Sequence, residues 1–336
     1  MHNVLRYTRD VRDPEFLIPR RVFEDGSLDT YSLPNFYDRR ELSERKKRST
    51  EAGEQEPQTD KVHLVLPFNG IEHHVELSPY HEFISPDMVI ETRGAGLRTN
   101  LDEALRFKRA PDRQCHYRGF VRDHQKSKAA LSLCDGVVHN WEAAWAEQLA
   151  KREKRLMEEN LDKATSYSHS IHRFLEIGLI ADRRFLDFYN NSNYEQYLLT
   201  IMNMVSDLYH DGSVGNQIDV VIVRIIYLEK EKEEIDLMIS PKAETTLASF
   251  TKWAQKMNPK DHTHPNHFDI AVLVTRYDIC SETATHCNLL GLAYVGTACD
   301  PEKAACITED TGLLLGVVIA HEVGHVYCPC TFLWQS

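Results

Sequence analysis

The second half of this 336-residue chain alternates short apolar runs with helical stretches, and no other feature of the sequence limits the possible folds as strongly. Residues 174–187, 219–228 and 268–274 are apolar runs of the kind that form buried strands. Between them, residues 194–210 and 244–257 repeat apolar side chains at helical spacing. Strands that alternate with helices in this way predict an α/β domain.

The first half of the chain predicts a β-rich domain followed by polar connecting segments. Residues 62–77 contain two short apolar runs separated by Asn69 and Gly70, a pair that favours a tight turn between strands. Residues 38–58 are almost entirely polar and have no periodicity, which is typical of a solvated linker. Residues 141–162 combine charged side chains with helical spacing and therefore predict a charged helical connector.

The charge and hydropathy of the chain exclude some classes of partner. Lys and Arg number 39 against 51 Asp and Glu, which gives a net charge of -12 and a surface that would repel a nucleic-acid backbone. No stretch approaches the roughly 20 apolar residues of a transmembrane helix. The opening residues also lack the apolar core of a signal peptide. We therefore expect no nucleic-acid partner, no membrane span and no signal peptide in this chain.

The chain has eight cysteines, and six of them lie at or after Cys280. This clustering indicates disulfides, metal ligands or both. An even number fits an oxidising compartment, and the absence of any paired Cys-x-x-Cys knuckle favours disulfides without excluding metal binding. The positions are Cys115, Cys134, Cys280, Cys287, Cys299, Cys306, Cys328 and Cys330.

The strongest chemical signal is the pentapeptide 321–325 (HEVGH), which follows the apolar run 313–320. Two histidines four residues apart lie on one face of a helix, so His321 and His325 can both reach one zinc ion. Glu322 can then act as general base on the water that zinc activates, which is the chemistry of peptide-bond hydrolysis. The alternative is a helix end whose histidines cap carbonyl groups or face solvent.

Segments on both sides of the pentapeptide carry a denser pattern, namely 267–276 (HFDIAVLVTR), 290–296 (LGLAYVG) and 307–310 (ITED). Together they resemble the metalloprotease domain of the ADAMTS family, secreted zinc endopeptidases of the adamalysin/reprolysin group of metzincins. The resemblance covers about 171–327. It implies a zincin catalytic domain with a mixed sheet and an active-site helix, a Zn²⁺ cofactor, secretion, and substrates among extracellular-matrix proteins.

The N-terminal half is similar to the propeptide of the same family, through 75–77 (VEL), 115–119 (CHYRG) and 129–136 (AALSLCDG). The resemblance therefore implies a zymogen, with a propeptide over residues 1–155 and a metalloprotease domain over 156–336. The propeptide lacks the segment in which the family carries a further zinc-capping cysteine. Latency through either of its own two cysteines is therefore not expected.

A basic run between the two halves fits the site at which the family's propeptide is cut off. Arg152, Lys154 and Arg155 match the Arg-x-Lys/Arg-Arg pattern of furin-type proteases, which would cut after Arg155. The alternative is a solvated basic stripe on the connector helix. Residues 45–48 fit the same pattern but are more typical of a solvated linker.

The C-terminus departs from the family pattern. Metzincins continue their motif to a third histidine, and that position is Thr331 here. The catalytic domain is therefore expected to be incomplete at its C-terminus. Cys328 or Cys330 could supply a thiolate ligand instead. The alternative function is a catalytically inactive, truncated family member that acts as a binding or non-functional product.

The resemblance implies further sites. It places Glu176, Asp261 and Asp269 where the family uses carboxylates for structural Ca²⁺, although ordinary surface acids would look the same. It also implies a disulfide between Cys280 and Cys287, and leaves Cys299 and Cys306 without their usual partners. Residues 190–192 (NNS) form a glycosylation sequon, which matters only in the secretory pathway.

Overall fold

The computed structural model describes ten segments and two single positions of the chain. These are residues 19–39, 61–68, 71–94, 105–109, 113–134, 172–190, 193–211, 214, 216–229, 237–281, 287 and 289–327. The predicted connector over 141–162 and nearly all of the predicted linker over 38–58 lie outside them.

The chain divides into two compact units. The first contains residues 1–81 and 111–169, and the second contains residues 82–110 and 170–336. The proposed boundary at residue 155 lies outside the described residues and stays a prediction.

The described part of the first unit is built from β-strands, as the sequence predicts. Six strands form one antiparallel sheet in the order β10-β9-β5-β4-β1-β2, and β3 pairs with β8. Phe68 lies opposite Ile71, so the two runs predicted in residues 62–77 form a hairpin. The strands are β1 Arg20–Val22, β2 Leu28–Thr30, β3 Tyr37–Asp38, β4 Val62–Phe68, β5 Ile71–Pro79, β8 Arg113–Gln114, β9 His116–Val121 and β10 His124–Ser132.

One face of this sheet carries the core of the first unit. Alternate residues of β4 and β5 point inward, and Leu64, Val75 and Leu77 are 0–1% exposed. Tyr117 of β9 joins the same cluster. The hydroxyl of Tyr37 shares its one hydrogen between two backbone carbonyls, those of residues 80 and 116, and so ties the small β3 strand to the larger sheet.

The second unit is an α/β domain around a seven-stranded mixed sheet, which confirms the predicted fold class. The strand order is β14-β15-β13-β11-β12-β6-β7. The five inner strands run parallel, and the two edge strands β14 and β7 are antiparallel to their neighbours. The strands are β6 Ile84–Arg93, β7 Leu105–Arg109, β11 Arg173–Ala181, β12 Ile218–Leu228, β13 Ile270–Thr275, β14 Gly291–Ala293 and β15 Ala305–Glu309.

Four described helices accompany the sheet: α1 Arg183–Phe188, α2 Tyr194–Tyr209, α3 Ala243–Met257 and α4 Leu315–Tyr327. Two of them match the predicted helices 194–210 and 244–257. The apolar run 174–187 is not one strand, however. Asp182 accepts a hydrogen bond from the backbone N–H of Phe185 at 2.8 Å, and this N-cap ends the strand and begins α1.

The core of the second unit lies between the sheet and its helices. All six residues of β13 are buried, as expected for a parallel central strand that is covered on both faces. Phe250 and Trp253 of α3 pack into the same cluster. Among the described residues, no helix combines the length and the apolar character that a membrane crossing requires.

Candidate active site

Helix α4 carries the predicted site residues and is fixed by its apolar side. Leu315, Ile319, Val323 and Val326 recur at helical spacing and are fully buried. The other side of the helix brings His321 to the surface. The sequence thus makes a helix that is rigidly packed on one side and presents polar chemistry on the other.

The two histidines face each other on this helix. The Nε2 atoms of His321 and His325 are 2.9 Å apart, and the ring centroids are 4.5 Å apart. In a tetrahedral zinc site with Zn–N bonds of about 2.05 Å, two ligand nitrogens lie roughly 3.3 Å apart. The pair therefore fits a shared zinc ion after only a small side-chain adjustment. The proposed third-ligand positions Cys328, Cys330 and Thr331 lie outside the described residues.

Glu322 lies between the two histidines in sequence but points into a more enclosed place. The residue is 6% exposed, and burial raises the pKa of its carboxyl group to about 7. A carboxyl group with this pKa can both accept and donate a proton near neutral pH, which is what a general base in hydrolysis must do.

Gly291, the first residue of the edge strand β14, makes room for the Glu322 carboxylate. A Cβ atom at residue 291 would lie 2.5 Å from Oε1 of Glu322, 2.6 Å from its Cγ and 2.7 Å from its Cδ. Because these distances are impossible for a real Cβ, only glycine allows Glu322 its present position. The sequence pattern around the motif contains this glycine, but nothing local reveals that its partner is Glu322.

The loop that follows β14 caps the C-terminal end of α4 with backbone hydrogen bonds. The backbone N–H of Gly296 donates to the carbonyl of His325 at 2.8 Å, and those of Thr297 and Ala298 donate to the carbonyl of Val326 at 2.9 and 3.0 Å. These bonds satisfy carbonyl groups that a helix end leaves without intrahelical partners. Gly296 has φ +71°, a conformation that favours glycine at this turn.

Asp310 fixes the entry to α4. It is 1% exposed, and its carboxylate accepts hydrogen bonds from the hydroxyls of Tyr197 at 2.6 Å and Tyr189 at 2.9 Å and from the backbone N–H of Gly312 at 3.1 Å. Arg276 donates to its backbone carbonyl. Burial raises the pKa of Asp310, while these bonds and the charge of Arg276 oppose that shift.

Tyr209 of α2 supports the middle of the helix. Its hydroxyl donates to the carbonyl of Ala320 at 3.0 Å, directly before the first histidine. Neither this contact nor the bonds of Asp310 to Tyr189 and Tyr197 follow from sequence spacing, because these partners are more than 100 residues apart in the chain.

The structure joins two pairs of cysteines. Cys280 is bonded to Cys287, and Cys115 is bonded to Cys134. The second pair brackets His116, and these three residues are the one group of three candidate ligands that comes together among the described residues. Since both sulfurs are in the disulfide, the group does not offer a metal three ligands. Cys299 is exposed and Cys306 is buried, both as free thiols.

The structure brings two of the three proposed calcium ligands together. The backbone N–H of Glu176 donates to Oδ2 of Asp269 at 2.9 Å, and burial together with the charge of Asp269 raises the pKa of Glu176. Asp261 instead accepts bonds from the backbone N–H and the hydroxyl of Thr263. The predicted processing residues Arg152, Lys154 and Arg155 lie outside the described residues.

Comparison with known proteins gives two family matches that together follow the order of the two halves. Residues 15–122 match the reprolysin family propeptide. Residues 173–328 match the reprolysin (M12B) family zinc metalloprotease.

Individual relatives agree with these matches. One relative is the human protein "A disintegrin and metalloproteinase with thrombospondin motifs 7". The chain is 31% identical to it over 92% of the chain's own length and covers 21% of that protein. It is 40% identical to mouse member 12 over 52% of this chain and 11% of that protein. It is 34% identical to gon-1 of Caenorhabditis elegans over 63% of this chain and 9% of that protein. The chain thus spans about a fifth or less of each of these relatives.

Proposed function

The chain belongs to the reprolysin (M12B) zinc metalloprotease family and is of the ADAMTS type, with a propeptide and a catalytic domain, and we propose that it hydrolyses peptide bonds in extracellular-matrix proteins. The observation that carries this proposal is the arrangement on α4. Two histidine nitrogens face each other at 2.9 Å, and the only acid between them in sequence has a pKa of about 7.

His321 and His325 would hold the zinc ion. When bound, zinc lowers the pKa of a water molecule and polarises a peptide carbonyl. Glu322 would take the proton of the attacking water and return it to the leaving amine. Its burial against Gly291 restricts the carboxylate to one position and so orients it for that transfer.

The edge strand β14 supplies a place for an extended substrate. It pairs with β15 on one side, as the last strand of the described sheet, and its first residue contacts Glu322. An extended peptide could add to the outer edge of β14 by backbone hydrogen bonds. Such a peptide would run past Glu322 with its carbonyl groups in reach of the site.

Calcium binding is part of the same proposal. Asp269 accepts a hydrogen bond from the backbone N–H of Glu176, and the pKa of Glu176 is raised by burial and, to a smaller extent, by repulsion from the charge of Asp269. A Ca²⁺ ion, which prefers oxygen ligands, would relieve this repulsion.

We further propose secretion and processing after Arg155 by a furin-type protease. The support is the basic pattern at residues 152–155, placed between the segments that match the propeptide and the protease models.

One observation favours a second candidate function. Thr331 stands where metzincins have their third histidine, and two protein ligands hold a catalytic zinc weakly. The alternative is therefore an inactive family member that binds protein partners without cleaving them.

Cleavage of a denatured protein mixture by the chain cut after Arg155 separates the two functions. We expect cleavage that a zinc chelator abolishes and that Glu322→Ala reduces by roughly 10²–10⁴-fold. Glu302→Ala, which alters an exposed acid away from the helix, is the matched control and should leave the rate unchanged. No cleavage by the parent chain would favour the binding function instead.

A further inference from the structure

The hairpin formed by β6 and β7 belongs to the protease sheet, although it lies within the segment that matches the propeptide model. Residues 15–122 match that model, yet β6 pairs in parallel with β12 of the second unit, and β7 continues the sheet beyond β6. The hairpin is thus the edge of a sheet whose other strands all follow residue 172.

The backbone connection between β6 and β12 extends along most of both strands. Residues 224–228 of β12 lie in register with residues 89–93 of β6. The connection is extended at both ends, since Ile222 donates its N–H to the carbonyl of Phe83 at 2.8 Å and Glu229 donates to the carbonyl of Arg93 at 2.9 Å. Without β6, this edge of β12 would expose a row of backbone N–H and C=O groups that have no strand partner.

Apolar side chains of β6 and of Phe83, the residue before it, add to the connection. Phe83, Ile84, Met88 and Ile90 are 1–4% exposed. β12 itself is buried over nearly its whole length. A strand that is apolar on both faces is suited to the interior of a sheet and poorly suited to a free edge.

A buried ion network fixes β6 at one point. Glu91 is 1% exposed, and its carboxylate accepts hydrogen bonds from Nε of Arg224 at 3.1 Å and from Nη1 of Arg93 at 2.9 Å. Nη1 of Arg224 also donates to the carbonyl of Met257, the last residue of α3, at 2.8 Å. The network therefore joins β6, β12 and the C-terminal end of α3, where a cation is favourable.

A second polar contact lies in the first half of β6. The side-chain amide of Asn266 donates to the carbonyl of Asp87 at 2.8 Å and to that of Val223 at 3.2 Å. One side chain of the protease segment thus bridges the two strands.

We propose that this hairpin remains seated on β12 after the chain is cut after Arg155, so that the propeptide fragment stays bound to the protease non-covalently through residues 83–93. The inference rests on the proposed order of propeptide and protease, but not on catalysis. A cut at residue 155 breaks none of the contacts described above. The hairpin lies at the edge of the sheet opposite to β14, so it can stay in place without covering the edge strand beside Glu322.

The test uses the full chain with the Glu322→Ala substitution, which removes self-cleavage, and with a site-specific protease sequence inserted after Arg155. After a complete cut, gel filtration under native conditions should give one peak that contains both fragments, and denaturant should separate them. Hydrogen exchange should show the amides of residues 224–228 as protected after the cut as before it. Elution of the N-terminal fragment alone, whether the protease fragment stays folded or aggregates, would overturn the proposal.

A variant locates the contact. Glu91→Ala should speed release of the N-terminal fragment on the order of a hundredfold, because Arg224 loses its buried partner. Glu72→Ala is the matched control, since that glutamate pairs with Arg20 on the exposed surface of the same fragment. If Glu91→Ala fails to fold, the co-elution of the parent fragments still decides the proposal. Equal release from the Glu91→Ala and Glu72→Ala proteins would contradict the role of the ion network.

Discussion

The carboxylate of Glu322 occupies the space that a side chain at residue 291 would fill, and Gly291 leaves this space open. The predicted consequence is sharp, because a methyl group at residue 291 would lie 2.5 Å from the carboxylate oxygen. The three atoms nearest to that methyl group all belong to Glu322, so the substitution should act on the glutamate first and leave the histidines in place. The two parts of the site can therefore be separated by one substitution.

We expect Gly291→Ala to lower kcat on a quenched peptide by about 10–100-fold, since a displacement near 1 Å of a catalytic group has an effect of that size. Zinc content should stay at the parent level. Gly316→Ala on α4, the helix that carries Glu322, is the control, because its Cβ would meet Met204 at an ordinary 3.4 Å. Equal activity of the Gly291→Ala protein and its parent would show that Glu322 does not depend on this contact.

His116 makes the first unit sensitive to acid. Burial lowers the pKa of His116 to about 3, whereas an unfolded histidine titrates near 6.5. Below pH 6.5 the unfolded chain therefore binds more protons than the folded one, and stability falls as the pH is lowered from there. His63 and His74 have pKa values that are lowered in the same direction, mainly by burial.

Urea unfolding of the first unit should accordingly show a loss of about 2 kcal/mol from His116 between pH 7 and pH 5. His116→Leu should remove the part of the pH dependence that comes from His116, while His124→Gln, at an exposed position, should leave the dependence unchanged. A His116→Leu protein with the parent's slope would contradict the assigned pKa.

At the scale of single elements, the position of α4 depends on the hydrogen bonds of Asp310, which precedes the helix. Asp310 joins Tyr189, Tyr197 and the backbone of Gly312, and all these groups are buried. Removing the carboxylate would take its acceptor from the Tyr189 hydroxyl and from the backbone N–H of Gly312, while the Tyr197 hydroxyl would keep only the carbonyl of Gly312.

We expect Asp310→Ala to lower the free energy of unfolding of the second unit by roughly 2–4 kcal/mol. Asp187→Ala is the control, since Asp187 forms only an exposed pair with Arg183 that contributes about 0–1 kcal/mol. Denaturant titration followed by tryptophan fluorescence would measure both. Equal losses from the two substitutions would refute the anchoring role.

Local pattern was enough to predict the elements whose signals are local. Helices α2 and α3 follow from periodicity, and α4 follows from the apolar run and the motif that it contains. The prediction of one strand over 174–187 was wrong because the apolar residues continue past Asp182. At that residue a side-chain cap begins a helix, and no stretch of polar residues marks the change. The Gly291 contact and the Asp310 anchor join distant parts of the chain, so no spacing rule reveals them.

At the scale of the whole molecule, the order of segments in the chain differs from their grouping in space. Residues 82–110 precede the proposed processing site and yet complete the sheet of the second unit. Sequence similarity assigns them to the propeptide because it reports ancestry along the chain. Their placement depends on the pairing of β6 with β12, which is more than 100 residues away and carries no local signal.

The central claim is that His321 and His325 of α4 hold a zinc ion, and metal content measures it most directly. Elemental analysis of the purified chain should find about one zinc per chain, with loss in His325→Ala and retention in Glu322→Ala. This result would show that the two histidines bind the metal and that the glutamate does not. Absence of zinc from the parent chain, or equal zinc in the parent and His325→Ala proteins, would contradict the account.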